Sequence, residues 1–331
     1  MDFELNSDQI ALADGIRRLC DGRFPLERLR IAEGSASAID DRAWRELADA
    51  GVFSLRAVGD EGLGLGMAEA AVVFEELGRA LVPGPLVASH VAATLGLVDG
   101  AATGKAVVGA ARRPSTVKLD AVVPVLLDHF GALTELVVVD DEGLWSVDPS
   151  TVDAQRIERS LDPLTPMWKA DRLPIGTRIS GTTTEDAVIW RRDTTVLTGA
   201  LCVGLAFAEL DLAVEYAKNR QQFGRPVGSF QAIKHLCADM VVRAETARVA
   251  VHAAAVTIDQ PDVGDPERAV AGASLLAAEA ALANGRACIQ VHGGMGFTWD
   301  VPAHLYLMRA RVLSAGIDVG GGLAEIVAER Y

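Results

Sequence analysis

The stretch RQQFGRPVGSFQAIKH, residues 220–235, places a dense group of polar side chains in a chain that is otherwise rich in alanine and leucine. Gly224 stands where a helix would place a left-handed C-terminal residue, Pro226 prevents the helix from continuing, and Ser229 can cap the next helix. Arg220 is therefore predicted to lie at the end of one helix, beside a tight turn that leads into another. An arginine in a last helical turn often does no more than interact with the helix dipole, so this stretch alone does not assign a function.

Helical periodicity continues on both sides of this turn, which predicts a bundle of long antiparallel helices. Asp265 followed by Pro266 is a typical helix start, and Gly293 followed by Gly294 is a typical helix stop. The predicted helical runs are 194–222, 229–259, 265–291 and 301–315.

The first hundred residues also carry apolar side chains at helical spacing. Those runs are 5–21, 40–51 and 67–81. From about residue 105 the chain changes to short β-branched segments broken by turn residues, which predicts strands. The segments are KAVVGA, KLDAVVPVLLD, TELVVVDDEGLWSVD and RISGTTTEDAVIW. The predicted fold is mainly α with a β insert: an N-terminal helical domain over 1–100, a small shortened β-rich middle domain over 101–190, and a C-terminal four-helix bundle over 191–331.

Composition limits the classes of partner. The chain has 331 residues, 50% of them hydrophobic, which is enough for a substantial core. Its net charge of −14 disfavours sequence-independent binding to nucleic acid or to an anionic membrane, although a local basic patch could still hold one phosphate group. The apolar stretch 268–283 contains charges and is too short to span a membrane. Cysteines without metal-type spacing, and no signal peptide, favour reduced thiols in a cytoplasmic protein without a metal site.

A second polar stretch, CIQVHGGMGFTWD at residues 288–300, has a similar character. Gln290 comes shortly before Gly293 and Gly294, and glycines allow the backbone to approach a ligand closely. His292 lies between these residues, but no nucleophile is paired with it, so it is interpreted as a structural or solvent-facing histidine. Each of the two stretches is weak evidence on its own.

Together, and in this order, the two stretches resemble the acyl-CoA dehydrogenase family, flavoproteins that remove two hydrogens from the α and β carbons of acyl thioesters. The matching segments are EYAKNRQQFGRPVGSFQAIKHLCADM (215–240), CIQVHGGMGFTWDVPAHLYLMRAR (288–311), WRELADAGVFSL, and DEGLGLGMAEAAVVFEELGRAL (60–81). The resemblance implies FAD as the cofactor and an acyl-CoA thioester as the substrate.

The two stretches have a known role in that family, where the arginine of R-x-x-F-G and the glutamine before G-G-x-G bind the diphosphate and adenosine half of FAD across a subunit interface. The FAD-binding residues that the resemblance implies are Arg220, Phe223, Gln290, Gly293 and Gly294. Their chemistry agrees, because guanidinium groups suit phosphate oxygens and glycine lets main-chain amides reach them. Gln231 could serve the same site or could cap the next helix.

The β-rich middle departs from the family pattern. Members normally carry a T-E-x-x-x-G-S-D stretch there, which helps to seat the flavin ring and the thioester. Residues 101–190 contain nothing closer than GTTTEDA at 181–187, which lies at the wrong end of the region and is interpreted as a turn. The resemblance therefore does not imply a flavin pocket that this chain completes alone.

The catalytic base of the family is usually a glutamate in a loop before the last helix. Aligned without gaps, residues 307–331 place Asp318 at that position, one methylene shorter. A base must lie within hydrogen-bonding distance of the proton, so the shorter side chain suits a bulky or branched acyl group whose α-carbon lies closer. Asp318 could instead turn or cap its glycine-rich loop. The other base position used by relatives falls at Thr194 and Thr195, with Asp193 one residue out of register.

The loss of the flavin-seating stretch, with FAD-contacting residues retained, resembles the short subunits of actinobacterial sterol-degrading members. Those subunits pair with a full-length one in an α2β2 tetramer. The resemblance implies such a partner, with each FAD between unlike subunits, and an electron-transfer acceptor. Two other roles stay open: a structural subunit that completes the partner's FAD site without chemistry of its own, and a homo-oligomer that acts alone on an unusual thioester.

Overall fold

The structure is a computed structural model that describes residues 5–32, 35, 37–60, 62–113, 124–317 and 322–328. Contacts between residues divide the chain into two compact units. The first unit contains residues up to Leu26, residues 67–82 and residues from Thr195 onward, and the second contains residues 27–66 and 83–194.

Helices make up most of the described chain. In order, they are α1 (Ser7–Arg23), α2 (Leu26–Ala32), α3 (Asp41–Asp49), α4 (Met67–Arg79), α5 (Leu86–Thr94), α6 (Thr184–Asn219), α7 (Gln231–Asp259), α8 (Pro266–His292), α9 (Ala303–Ile317) and α10 (Leu323–Ala328). The strands are β1 (Val108–Arg112), β2 (Val125–Asp128), β3 (Glu135–Val139), β4 (Leu144–Val147), β5 (Ala154–Arg156), β6 (Met167–Ala170), β7 (Thr177–Arg178), β8 (Gln221–Gln222) and β9 (Arg225–Pro226). The predicted class, mainly α with a β insert, is confirmed.

Close helix packing in the first unit depends on two glycines. A Cβ atom at Gly204 of α6 would lie 1.9 Å from the carbonyl oxygen of Glu75. A Cβ atom at Gly78 of α4 would lie 2.2 Å from the carbonyl oxygen of Leu201. Any larger residue at either position would push α4 and α6 apart.

A buried amide fixes the register of the bundle. Nδ2 of Asn284, on α8, donates to the carbonyl oxygens of Ala206 and Met240 at 3.1 and 3.0 Å. Its Oδ1 accepts a hydrogen bond from Nε of Arg243 at 3.0 Å. Because Asn284 is fully buried and both ends of its amide are used, it ties α8 to α6 and α7 at one height of the bundle.

The second unit contains two small sheets. One has the strand order β1-β3-β4-β7, with β1 parallel to β3 and the other pairs antiparallel. The other is antiparallel, with the order β2-β6-β5. Their shared core includes Leu127, Leu136, Val138, Val147, Trp168 and Ala170. Arg113 extends from the end of β1 and donates to Asp140 and to the carbonyl oxygens of Pro174 and Ile175, which holds the loop before β7 against the mixed sheet.

Helix α6 begins at Thr184, ten residues before the predicted start at residue 194. The prediction that RISGTTTEDAVIW belongs to the β insert is therefore wrong from Thr184 onward. The N–H of Thr183 donates to Oδ2 of Asp186 at 2.6 Å, and the N–H of Asp186 donates to Oγ1 of Thr183 at 3.4 Å. This reciprocal pair is a capping box, so the threonine-rich segment starts a helix.

Helix α6 is also the one helix of the described residues whose length and composition would allow it to cross a membrane. Within its apolar window, 78% of the residues are buried inside the protein, as in the core helix of a bundle. Among all the described residues, including α6, no group of three or more His, Cys, Asp or Glu side chains could hold a metal ion.

Candidate cofactor-binding face

Residues 220–226 form a short hairpin that follows the end of α6. The helix ends at Asn219, and β8 and β9 pair around the two-residue turn Phe223–Gly224. The φ angles of the turn residues are +54° and +75°, which is the type I′ geometry that suits two-residue hairpins. Gly224 is left-handed as predicted, but the prediction that it ends the helix is wrong, because the helix ends at Asn219 and Gly224 turns a hairpin five residues later.

Contacts with Phe230 hold this hairpin. The ring of Phe223 meets that of Phe230 edge-on, with centroids 6.1 Å apart, and the guanidinium of Arg225 lies 4.2 Å from the Phe230 centroid. Phe223 nevertheless stays 90% exposed. A non-glycine residue with positive φ is uncommon, and a bulky exposed one gains little from packing, so the position suggests a functional contact.

The hairpin orients Arg220 through its backbone alone. The N–H of Arg220 donates to the carbonyl oxygen of Tyr216 at 2.8 Å, and its carbonyl oxygen accepts from the N–H of Val227 at 2.8 Å. Its side chain is exposed and makes no hydrogen bond or ion pair with any described residue. A fixed backbone with a free guanidinium is well suited to an anionic ligand.

The next helix, α7, begins without the predicted serine cap. Ser229 lies in a short 3₁₀ turn, Val227–Ser229, and Phe230 occupies the N-cap position with no side-chain hydrogen bond. The prediction that Ser229 caps α7 is therefore wrong. Gln231 is the first residue of α7, is exposed, and makes no capping bond, so its side chain is available to a ligand.

The second stretch forms the C-terminal end of α8. Gly293 has a φ of +59°, and its N–H donates to the carbonyl oxygen of Gln290. No atom lies within 4 Å of the positions that Cβ atoms would occupy at Gly293 and Gly294, so the backbone there is open to a ligand. The side chain of Gln290 is exposed. His292 is buried, with Nδ1 2.8 Å from the carbonyl oxygen of Cys288, which supports a structural role.

The two stretches lie at the same end of the bundle. Tyr216, in the last turn of α6, contacts His292, in the last turn of α8, with ring centroids 4.3 Å apart. Gln290 lies two residues before His292, which turns it about 200° around the helix axis. The structure therefore brings the two helix ends together, and the side chains of Arg220 and Gln290 are both exposed there.

Local charge at this end of the bundle is opposite to that of the whole chain. Residues 215–235 contain four Lys or Arg residues and one acidic residue, Glu215, and residues 284–300 contain Arg286 and one acidic residue, Asp300. The chain as a whole carries a net charge of −14. Anionic groups are therefore attracted to this end in preference to the rest of the surface.

These groups fit the diphosphate half of FAD. The guanidinium of Arg220 and the amide of Gln290 are donors, and the open backbone at Gly293 leaves room for phosphate oxygens. Groups that would seat the flavin ring are missing from residues 101–190, which lack the T-E-x-x-x-G-S-D stretch. The groups on this face therefore match the chemistry of a diphosphate and not that of a flavin ring.

The candidate base Asp318 lies outside the described residues. The alternative base position can be described, and it holds no accessible carboxylate. Asp193 is fully buried, 2.7 Å from Nη1 of Arg56 and 3.0 Å from Nη2 of Arg192. The hydroxyl of Thr194 donates to the carbonyl oxygen of Trp190 at 2.8 Å. Asp193 is an ion-pair partner inside the fold and not a base for a bound substrate.

One buried acid in the bundle is not predicted from the sequence. Glu209 of α6 is fully buried, and neither carboxyl oxygen has a hydrogen-bond partner among the described residues. Burial raises the pKa of Glu209 well above its usual value, because the charged form would be desolvated. Burial likewise raises the pKa of the nearby Tyr306 to about 12. A lone glutamate within the apolar run ALCVGLAFAEL is the only signal for this acid in the sequence.

Two regions of the chain match family models. Residues 6–103 match the model for the acyl-CoA dehydrogenase N-terminal domain, and residues 194–329 match the model for the acyl-CoA dehydrogenase C-terminal domain. The second match covers the hairpin at residues 220–226 and the end of α8 at residues 290–294, which together form the candidate cofactor-binding face.

Relatives and a solved structure agree with these matches. Acyl-CoA dehydrogenase FadE34 of Mycobacterium tuberculosis is 38% identical over 87% of this chain, which spans only 42% of the length of that protein. Acyl-CoA dehydrogenase IpdE2 of Mycolicibacterium smegmatis is 30% identical over 92% of this chain and 93% of its own length. The ChsE4-ChsE5 complex from Mycobacterium tuberculosis contains a chain with the same fold, with a TM-score of 0.82 at 22% identity over 100% of this chain and 98% of that one.

Proposed function

The chain belongs to the acyl-CoA dehydrogenase family of FAD-dependent oxidoreductases, and we propose that it is one subunit of an enzyme that forms an α,β-unsaturated acyl-CoA. One observation carries this proposal. The candidate donors for the FAD diphosphate, Arg220 and Gln290, have exposed side chains that make no hydrogen bond or ion pair with the described residues, while the flavin-seating stretch is missing from residues 101–190. Half a cofactor site is useful only if a second subunit supplies the other half.

The partner is a full-length member of the same family, in an α2β2 tetramer with one FAD between each pair of unlike subunits. In this arrangement Arg220 and Gln290 hold the diphosphate, and the β domain of the partner seats the flavin ring. Phe223, Gln231, Gly293 and Gly294 complete the face that this chain contributes. The structural neighbour ChsE4-ChsE5 is itself a complex, which supports a paired assembly.

A bound flavin would supply the acceptor for the hydride from the β-carbon, and the electrons would leave to an electron-transfer acceptor. The contribution of this chain to the reaction is the α-proton step. Asp318 removes that proton as a general base, at the sequence position where the family places a glutamate. Because aspartate is one methylene shorter, the α-carbon must lie closer to the backbone, which suits a bulky, sterol-derived acyl group.

A non-catalytic role is the second candidate, and the burial of Asp193 favours it. With Asp193 held by Arg56 and Arg192, the alternative base position offers no carboxylate among the described residues. If Asp318 only turns its loop, this chain completes the FAD site and does no chemistry of its own.

Co-expression with a full-length dehydrogenase encoded by an adjacent gene separates the two candidates. The purified complex should contain one FAD per pair of unlike chains, and Arg220→Ala should lower that content. Asp318→Asn should reduce kcat about 100-fold or more with FAD content unchanged, because a general base contributes about 10²–10⁴-fold. Asp262→Asn, at an exposed acid outside both stretches, serves as the matched control and should leave kcat unchanged.

Unchanged turnover in Asp318→Asn would favour the non-catalytic role. Stoichiometric FAD on this chain purified alone would contradict the paired site and favour the homo-oligomer.

A further inference from the structure

The end of helix α8 exposes only two side chains. Of residues 284–292, Arg286 and Gln290 are exposed and the others are buried. Residues four apart lie on the same face of a helix. Helical side chains also lean toward the N-terminus, so Gln290 reaches back over the turn that carries Arg286. A ligand that contacts Gln290 on this face is therefore within reach of Arg286.

Nothing in its own helix neutralises Arg286. The positions that its side chain can reach along α8 are Leu282, Ala283, Ile289 and Gln290, and none of them is acidic. Arg286 makes no hydrogen bond or ion pair with any described residue.

Two other arginines of the same unit are held by partners, whereas Arg220 and Arg311 have none among the described residues. Arg243 donates to Asn284, and Arg248 is paired with Glu245 at 2.6 Å. Against that background, an unpaired arginine beside a candidate cofactor-binding glutamine indicates an external anion. The chain carries 45 acidic residues against 31 basic ones, so the acidic groups that usually pair with arginine are in excess.

We propose that Arg286 is a further cofactor-binding residue, whose guanidinium donates charge-assisted hydrogen bonds to a phosphate oxygen of the FAD diphosphate beside Gln290. This inference rests on the proposed function, because it uses the same dinucleotide site. Gly293, one turn beyond Gln290 on this face, leaves the backbone open where the phosphate would lie. The three positions together provide a cation, an amide and free space, which is the chemistry that a diphosphate needs.

The test measures FAD affinity in the complex of this chain with its co-expressed partner, after removal of the bound flavin. Titration with FAD, followed by flavin fluorescence, gives Kd for the wild type, Arg286→Ala and Arg286→Lys at low and high NaCl. Arg286→Ala should raise Kd about 10- to 100-fold, because a hydrogen bond to a charged group is lost. Its Kd should also depend less on salt than that of the wild type, since one screened ionic contact is gone. Arg286→Lys should lie between the two, because it keeps the charge and loses the planar fork.

Arg311 provides the matched control. It is an exposed arginine on α9 that also makes no hydrogen bond or ion pair with the described residues, so Arg311→Ala should leave Kd and its salt dependence unchanged. If Arg286→Ala binds FAD like the wild type while Arg220→Ala does not, the role of Arg286 is refuted and the proposed function stands. If neither variant loses affinity, the proposed function itself fails. If Arg286→Ala separates the subunits while Kd for FAD is unchanged, the anionic group that Arg286 contacts belongs to the partner subunit and not to FAD. The inference is then also overturned.

Discussion

Two acids on helix α6 are completely buried, and they differ in what surrounds them. Asp193 lies between Arg56 and Arg192, at 2.7 and 3.0 Å. Glu209, four turns further along, has no hydrogen-bond partner for either oxygen among the described residues. A buried charge persists only where it is paired, so Asp193 is the carboxylate of an ion pair and Glu209 is a neutral acid. Burial alone therefore does not decide whether a carboxyl group in this protein is charged. The presence of a basic partner decides it.

Removing the partner of Asp193 should have the largest effect. Arg56→Met keeps most of the side-chain volume but leaves Asp193 with Arg192 alone, so part of its buried charge is uncompensated. The free energy of unfolding should fall by about 3 kcal/mol, as expected when a buried ion pair loses one member. Urea denaturation measures this change.

The matched control is Arg42→Met, which removes the i,i+4 pair with Glu46 on the surface, where Arg42 is 77% exposed. That change should cost about 0.5 kcal/mol or less. Equal losses in the two variants would mean that the burial of Asp193 has no energetic consequence. The double variant Arg56→Met with Asp193→Leu should recover stability relative to Arg56→Met alone, since the fully buried carboxylate is gone and the remaining guanidinium of Arg192 is 23% exposed.

Glu209 should respond to pH in the opposite way to a paired acid. Its pKa is raised by burial, so the unfolded chain releases this proton near the usual value of 4.5 while the folded chain retains it. The stability that this group contributes is therefore complete below that pH and is lost as pH rises toward the raised pKa. Glu209→Gln cannot ionise in either state and should escape this loss. Its advantage over the wild type should therefore grow steadily from pH 5 to pH 8.

Unfolding curves at several pH values measure this difference. Glu279→Gln, at an exposed acid of α8, should leave the pH dependence of the wild type unchanged. If wild type and Glu209→Gln show parallel stability profiles, Glu209 is ionised in the fold and has an unseen partner.

Local features of this molecule are readable from the sequence, and long-range ones are not. Asp265 is predicted as a helix cap from its neighbours alone, and its Oδ1 accepts from the N–H groups of Glu267 and Arg268 at 3.1 and 3.2 Å. The difference between Asp193 and Glu209 cannot be read in this way, because Arg56 is 137 residues from its partner.

The candidate site shows the same limit. The left-handed backbone of Gly224 is a local property that the sequence predicts, whereas its hairpin depends on how Phe230 packs against its neighbours. The exposure of Gln290 is likewise not predictable, since it depends on which face of α8 the rest of the bundle covers.

The smallest effect concerns the space that Glu209 occupies. A Cβ atom at Gly285 of α8 would lie 2.6 Å from Oε1 of Glu209 and 3.0 Å from Cδ1 of Leu307. Gly285→Ala should therefore destabilise the bundle by about 1 kcal/mol, at the low end for overpacking because the carboxyl end of Glu209 can shift. Tyr216 lies seven residues after Glu209 on α6, and His292 lies seven residues after Gly285 on α8. These two side chains are in contact, so a change in helix spacing at Gly285 should reach the cofactor-binding face.

A double-mutant cycle sharpens this last point. Gly285→Ala should weaken FAD binding to the complex slightly, and Glu209→Ala should relieve that loss by removing the carboxyl group that the new methyl group meets. Coupling between the two changes should exceed about 0.5 kcal/mol in unfolding experiments, as it does for residues in direct contact. Additive effects would mean that Leu307, and not the unpaired acid, limits the approach of α8 to α6. Glu209 would then be buried in the bundle without determining the spacing between the helix ends near Arg220 and Gln290.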